Sequence, residues 1–245
     1  MSNKKRFAIL SGPSCVGKGS LQEAVRRLYP KLIDARPILC TSRPPRVGEV
    51  HGEDYYFLPA TFIQSLDKSP DFVVSPVRSD WQAIHLQQIE DLLSSNNLVF
   101  AEVYYTFGPA LLKRAVSRQF ETVRIFLLPL PSTTPPGQVI EVMSAKLTRR
   151  ATDPQERIYD RASSAPKEIE AANSYTHLLI NPAGEDDIAE WKSFGTCGGE
   201  KGKGKVNSIE DLGPNAQWLV KTFVKILNGE LAPGEYSKDS TKHLA

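Results

Sequence analysis

The stretch that most constrains the fold is FAILSGPSCVGKGS, from Phe7 to Ser20. Phe7 to Leu10 is a short apolar run typical of a buried strand, and residues 21–28 repeat apolar side chains at helical spacing. Between them lies a Gly-x4-Gly-Lys loop, from Gly12 to Lys18. Its glycines permit a tight turn, and its N–H groups converge at a helix N-terminus. Strand, loop and helix together predict a phosphate-binding loop in an α/β fold.

The residue types within this loop predict their roles. Lys18 supplies positive charge for the β- and γ-phosphates of a nucleotide. Gly19 has no side chain, and the next hydroxyl along the chain is that of Ser20. Adenylate-kinase-like loops read Gly-Lys-Gly-Thr, and by that resemblance Ser20 would be the magnesium ligand. Cys15 has no histidine near it in sequence, so we interpret it as a small loop residue and not a nucleophile. The predicted ATP-binding residues of the loop are Gly12, Pro13, Ser14, Cys15, Val16, Gly17, Lys18, Gly19 and Ser20.

Composition limits the class of protein. The chain has 245 residues, 40% hydrophobic and 24% charged, as in an ordinary soluble globule. Its formal net charge of +2 gives no electrostatic argument for nucleic acid or a membrane as partner. No stretch approaches the roughly 20 apolar residues of a membrane helix. Three cysteines without metal-site spacing favour a reduced, cytoplasmic protein.

A second motif, TSRPPRVGEVHGEDYYFL, runs from Thr41 to Leu58. Arg43 and Arg46 are separated by two prolines, which stiffen the segment and hold the guanidinium groups on a short turn. Paired arginines suit bidentate contacts with an oxyanion. Taken alone, the segment fits a solvated basic loop equally well.

The two motifs together resemble those of guanylate kinases, and the resemblance covers roughly residues 5–190. It implies a P-loop NTPase fold with a parallel sheet core flanked by helices, a small acceptor-binding lobe and a lid. On that basis residues 1–230 form one domain, followed by a tail at 231–245. The implied core is 5–37, 97–143 and 166–230, the acceptor lobe is 38–96 and the lid is 144–165.

The resemblance also implies an acceptor site. Arg43 and Arg46 would grip the acceptor's phosphate with Tyr55, and Glu49 would lie near it. Trp81 would stand where the family has a tyrosine. Glu102 would polarise water bound to magnesium, and the following aspartate of the family falls on Tyr104. Arg43, Arg46 and Tyr55 therefore predict that the acceptor's phosphate is recognised. Val74 occupies the position of the family's guanine-binding glutamate, which predicts that recognition of guanine is altered.

The lid and the adenine side follow the family more closely. Arg150 and Arg161 match the lid arginines that clamp the transferring phosphate, and the alternative is that both belong to a charged helix surface. Asn181 matches an asparagine that packs against adenine. The predicted catalytic residues are Lys18, Arg43, Arg150 and Arg161.

These observations predict ATP- and magnesium-dependent phosphoryl transfer to a small phosphorylated acceptor, with GMP first. The alternatives are a ribose-bisphosphate or other monophosphate kinase, or a catalytically weak nucleotide-binding or protein-interaction module. Residues 83–93 are predicted to form an amphipathic helix, and Gly195 to Lys205 a flexible linker. The oligomeric state is left open.

Overall fold

The structure is a computed structural model that describes residues 5–45, 48–114, 118, 120–152 and 154–239. Its residues divide into two compact units. The first unit comprises Met1–Ile9 and Ile33–Val123, and the second comprises Leu10–Leu32 and Arg124–Ala245. The predicted acceptor lobe therefore falls within the first unit, and the predicted lid falls within the second.

Strands and helices alternate along much of the described chain. The strands are β1 (Arg6–Ser11), β2 (Leu39–Thr41), β3 (Tyr55–Phe57), β4 (Phe72–Val77), β5 (Asp80–His85), β6 (Leu98–Glu102), β7 (Glu121–Leu128), β8 (His177–Ile180), β9 (Thr196–Cys197), β10 (Glu200–Lys201) and β11 (Gly234–Tyr236). The α-helices are α1 (Lys18–Leu28), α2 (Ala60–Ser65), α3 (Leu86–Ser95), α4 (Phe107–Arg114), α5 (Pro136–Arg150), α6 (Gln155–Glu170), α7 (Ile188–Trp191) and α8 (Pro214–Asn228). Within the described residues, none of these helices has both the length and the apolar character needed to cross a bilayer.

The second unit is built on parallel strands. β11, β8 and β7 lie side by side in that order, with Ile125 and Gly234 both aligned with His177. β7 is buried along its second half, as expected for a strand covered on both faces. Helices α1 and α8 pack together, as do α5 and α6. The predicted α/β fold with a parallel sheet is confirmed.

The first unit carries a four-stranded sheet with the order β3-β2-β5-β4. β2 pairs parallel with β3 and antiparallel with β5, and β5 pairs antiparallel with β4. Helix α2 packs on this sheet through Ile63, which is fully buried. Ile63 forms one buried cluster with Cys40 and Ala83 of the sheet. This sheet carries Tyr55 and Trp81, two of the residues predicted to bind the acceptor.

Two local predictions differ from the structure. The helix predicted over 83–93 begins at Leu86, because Asp80–His85 pairs with β4 along its whole length. His85, which ends β5, stacks on the ring of Phe72 with centroids 4.5 Å apart. Part of the segment predicted as a tail, Gly234–Tyr236, forms β11 beside β8. Pairing with the neighbouring strand β4 in the first case, and with the distant strand β8 in the second, outweighs the local pattern.

Candidate active site

The loop after β1 has the backbone that its glycines predict. Gly12 has φ 142° and Gly17 has φ 96°, both in the region that favours glycine. A Cβ on Gly12 would lie 2.5 Å from the carbonyl oxygen of Leu127, so a side chain has no room there. Helix α1 begins at Lys18, directly after Gly17. The loop therefore delivers its N–H groups to the positive end of a helix.

Lys18 lies within this loop. Its ammonium group donates to the carbonyl oxygens of Gly12 at 2.7 Å and Pro13 at 2.8 Å. The charge is thus already held by the loop that is predicted to surround a phosphate. Ser20 is buried, and its hydroxyl donates to the carbonyl oxygen of Phe194 at 2.8 Å.

The residues present fit a magnesium ion that arrives with a nucleotide. A hydroxyl that donates its hydrogen, as that of Ser20 does, keeps oxygen lone pairs for a cation. Magnesium usually binds through few protein ligands together with substrate phosphates. The described ranges contain no group of three or more His, Cys, Asp or Glu side chains that could hold a metal ion.

The structure brings one predicted lid arginine to the loop and anchors the other. Arg161 on α6 donates to the hydroxyl of Ser14, from Nη2 at 2.7 Å and from Nε at 3.2 Å. Arg150, the last residue of α5, forms an ion pair with Glu185, with 2.5 Å between Nη1 and Oε1. Both side chains of that pair are mostly buried, at 14% and 20% exposed. Partial burial makes such a pair less screened by solvent than a surface pair.

Asn181 has a different position from the one its resemblance implies. It follows β8 and is fully buried. Its amide nitrogen donates to the carbonyl oxygen of Val16 at 2.8 Å, and its oxygen accepts from Asn215 at 2.7 Å. In this structure Asn181 supports the loop from within and offers no surface to an adenine ring.

A buried charged cluster beneath the loop escaped the sequence reasoning. Lys146 Nζ lies 3.7 Å from Asp186 Oδ1, with both side chains 2% exposed, and Arg149 Nε donates to Asp186 Oδ2 at 2.7 Å. Lys146 also donates to the carbonyl oxygen of Pro182. Burial lowers the pKa of Lys146, and the charge of Asp186 opposes that shift. Lys146 and Asp186 are far apart in sequence, which is why no local motif indicates the pair.

The predicted linker is a small hairpin that contacts the end of α5, in the predicted lid. β9 and β10 pair antiparallel, and the N–H groups of Gly198 and Gly199 donate to the carbonyl oxygens of Arg149 and Arg150 at 2.7 and 2.8 Å. The hairpin thereby satisfies carbonyls at the C-terminal end of α5, which a helix leaves without partners. Its glycines, which suggested flexibility, have φ values of 59° and 81° that suit this turn.

In the first unit, three of the residues predicted to bind the acceptor lie together. Arg43 forms two hydrogen bonds with Glu49, each 2.6 Å long, and its guanidinium carbon lies 5.0 Å from the centroid of the Tyr55 ring. Burial raises the pKa of Tyr55, Arg43 opposes this, and the charges of Glu102 and Glu49 add to it. Glu102 ends β6, and its charge is one of the causes of the raised pKa of Tyr55. Arg46 lies outside the described residues.

The residues at the family's base-contacting positions lie in different surroundings. Tyr104 lies beside Tyr105, with ring centroids 4.5 Å apart, and the guanidinium carbon of Arg78 is 5.9 Å from the Tyr104 ring centroid. Trp81 and Val74 instead pack against the buried cluster around Ile63. The structure does not bring Trp81 together with Tyr55, because the two side chains belong to opposite faces of the lobe sheet.

The cysteines allow a test of the loop's chemistry. Burial, followed by the charge of Glu185, raises the pKa of the Cys15 thiol to about 12, and burial raises that of Cys40 to about 11. A pKa of about 12 leaves roughly one thiol in ten thousand ionised at pH 8, and only the thiolate is nucleophilic. We expect iodoacetamide at pH 8 to label the half-exposed Cys197 first. Mass spectrometry showing Cys15 alkylated as fast as Cys197 would contradict this reading of the loop.

Comparison with known proteins decides the family. The sequence profile described as guanylate kinase matches residues 4–194, which include the loop, the arginine motif and the lid. The chain belongs to the guanylate kinase family. It is 32% identical to the guanylate kinase of Rickettsia felis over 182 residues, or 74% of this chain and 88% of that protein. It is 30% identical to that of a Nostoc species, over 72% of this chain and 82% of that protein.

A crystal structure of guanylate kinase from Anaplasma phagocytophilum is also similar, with a TM-score of 0.49 and 17% identity. The alignment covers 74% of this chain and 79% of that one. The match to the guanylate kinase profile ends at residue 194. The hairpin of β9 and β10, which contacts the lid, therefore lies beyond the part of the chain that the family profile recognises.

Proposed function

We propose that the protein transfers the γ-phosphoryl group of ATP to GMP, giving ADP and GDP, with ATP bound as its magnesium complex. The observation that carries the proposal is the family match across both motifs, and it is supported by Lys18 within the loop and by the contact of Arg161 with Ser14. The relatives reported above carry the name guanylate kinase, and that name supports GMP rather than a ribose bisphosphate as the proposed acceptor.

On the donor side, each residue has a role that its contacts support. Lys18 places its charge within the loop that would hold the β- and γ-phosphates. Arg161, beside Ser14, and Arg150, held by Glu185, would stabilise charge on the phosphoryl group as it transfers. The magnesium ion, when bound, supplies further positive charge, and Ser20 is the protein hydroxyl proposed to contact it.

On the acceptor side, Arg43 is the central group. Glu49 accepts from both Nη1 and Nη2 and so fixes the plane of the guanidinium, and an acceptor phosphate would take over part of this fork. The hydrogen bond to Glu49 raises the pKa of Arg43, so its charge is present throughout the accessible pH range. Tyr55 lies directly beneath that fork and would donate to the same phosphate. An anionic phosphate acceptor needs no general base.

The remaining alternative is a module that binds nucleotide without catalysis. An intact loop with its lysine, and a lid arginine already at the loop hydroxyl, argue for an enzyme. We also propose a reducing compartment such as the cytoplasm, because Cys15, Cys40 and Cys197 are all free thiols.

Steady-state kinetics with magnesium, ATP and a panel of acceptors test the proposal. The panel contains GMP, dGMP, AMP, UMP and ribose 1,5-bisphosphate. We expect GMP to give the highest kcat/KM. A higher value for ribose 1,5-bisphosphate would replace the proposed acceptor, and no turnover with any of them would favour the non-catalytic alternative.

A further inference from the structure

The two faces of the lobe sheet have opposite character. Directly opposed residues on neighbouring strands share a face, and successive residues alternate between faces. Val74 and Cys40 both align with Ala83, and Trp81 follows on the same face. All four pack into the apolar cluster around Ile63 of α2. This face is therefore the lobe's hydrophobic core.

The other face carries a row of side chains that crosses all four strands. Thr41 on β2 aligns with Phe57 on β3 and with Gln82 on β5, and Gln82 aligns with Ser75 on β4. We call Thr41, Gln82 and Ser75 the polar row. At the Phe57 end, the guanidinium carbon of Arg43 lies 5.7 Å from the ring centroid, so the phosphate-binding arginine stands beside the row.

Burial within the polar row requires an explanation. Thr41 is 0% exposed and Ser75 is 2% exposed. Ser75 donates to Thr106 Oγ1 at 2.6 Å, and Thr106 donates in turn to the carbonyl oxygen of Pro76 at 2.9 Å. The Thr41 hydroxyl, by contrast, is buried with no hydrogen-bond partner among the described residues. A buried hydroxyl without a partner costs free energy, and a ligand with a polar edge would remove that cost.

We infer that the polar row is where this protein reads the base of its acceptor nucleotide, with Gln82 as the central contact. The inference rests on the proposed function and names the residues that take over from the family's guanine carboxylate. Gln82 is half-buried, and its amide presents a donor and an acceptor together. Thr41 and Ser75 flank it from either side.

The chemistry of the row defines the class of acceptor. A carboxylate only accepts hydrogen bonds and so selects the N1–H and amino group of guanine. An amide and two hydroxyls are neutral and can donate as well as accept. A neutral row of this kind can pair with the O6 and N1–H edge of GMP or IMP, and its amide can pair equally well with the N1 and N6-amino edge of adenine. It is therefore expected to discriminate less among GMP, IMP and AMP than a site with a carboxylate.

The decisive variant is Gln82→Leu, which keeps the size of the side chain and removes its polar atoms. We expect KM for GMP to rise by about tenfold or more, the loss of one buried hydrogen-bonding group, with KM for ATP within about twofold. Thr41→Val, which exchanges a hydroxyl for a methyl group, should raise the same KM. The matched control is Gln64→Leu, because Gln64 is exposed on α2 behind the opposite face.

Calorimetric titration of each variant with GMP accompanies the kinetics and keeps the two proposals separate. A parent protein that binds GMP without phosphorylating it fails the proposed function, while the Kd values still test the polar row. Unchanged KM and Kd for GMP in both Gln82→Leu and Thr41→Val, each folded by circular dichroism, would overturn the inference. Equal losses in Gln64→Leu would overturn it as well.

Discussion

Replacing Lys18 with alanine is expected to lower kcat/KM for ATP by roughly a thousandfold. The ammonium group lies 2.7 Å from Gly12 O and 2.8 Å from Pro13 O, so its charge is positioned in the loop before a nucleotide binds. Phosphoryl transfer asks the protein mainly for positioning and for positive charge around the transferring group. Loss of that charge raises the barrier in addition to weakening ground-state binding. Steady-state kinetics and calorimetric titration with magnesium–ATP measure the two effects separately.

The matched control is Lys221→Ala, which removes an exposed lysine from α8 of the same unit. Its kinetic constants should stay within about twofold of the parent, as for most surface substitutions. Retention of more than a tenth of the parental kcat/KM by Lys18→Ala would remove Lys18 from the centre of the reaction. Failure of the parent to bind magnesium–ATP at all would contradict the assignment of the whole loop.

The loop could be predicted because its information is local. The strand, the glycines, the lysine and the helix follow one another within Phe7 to Leu28. Gly12 and Gly17 both have a positive φ, a conformation that glycine adopts most readily. The arginine motif is local in the same way, and Arg43, Glu49 and Tyr55 do lie together. Contiguous motifs of this kind can be recognised before any long-range contact is known.

The face of a strand could not be predicted so safely. Side chains alternate with period two, so a shift of one residue in the register exchanges the two faces of the sheet. Alignment with the family placed Trp81 in the acceptor site and Val74 at the position of the guanine-binding glutamate, whereas the pairing of β4 with β5 places both on the apolar face. Thr41, Ser75 and Gln82 carried no motif, and only the register of three strands brings them into one row.

Long-range contacts account for the remaining surprises. Asn181 reaches back across the sequence to Val16, and Glu185 reaches Arg150. The Gly-rich segment looked like a linker because its composition lacks apolar residues, yet its backbone N–H groups close the end of α5. Such roles depend on which carbonyl lies nearby, which composition does not encode.

The lid arginines are expected to act on the transition state. Arg161→Ala and Arg150→Ala should each lower kcat by about a hundredfold and change KM for ATP by less than about threefold. Arg161 reaches the loop through Ser14, and Glu185 holds Arg150 from the side of β8, so both guanidinium groups are already restrained in the free protein. Negative charge on the transferring group shifts during the reaction, and fixed donors near it lower the barrier more than they strengthen binding.

Arg157→Ala is the control for these variants, because Arg157 is exposed one helical turn before Arg161 on α6 and carries the same charge. Its kcat should match that of the parent. Arg161→Lys keeps the charge and loses the planar fork, so only partial recovery of kcat is expected. A rise in KM for ATP with kcat unchanged, in either alanine variant, would make that arginine an ordinary binding residue.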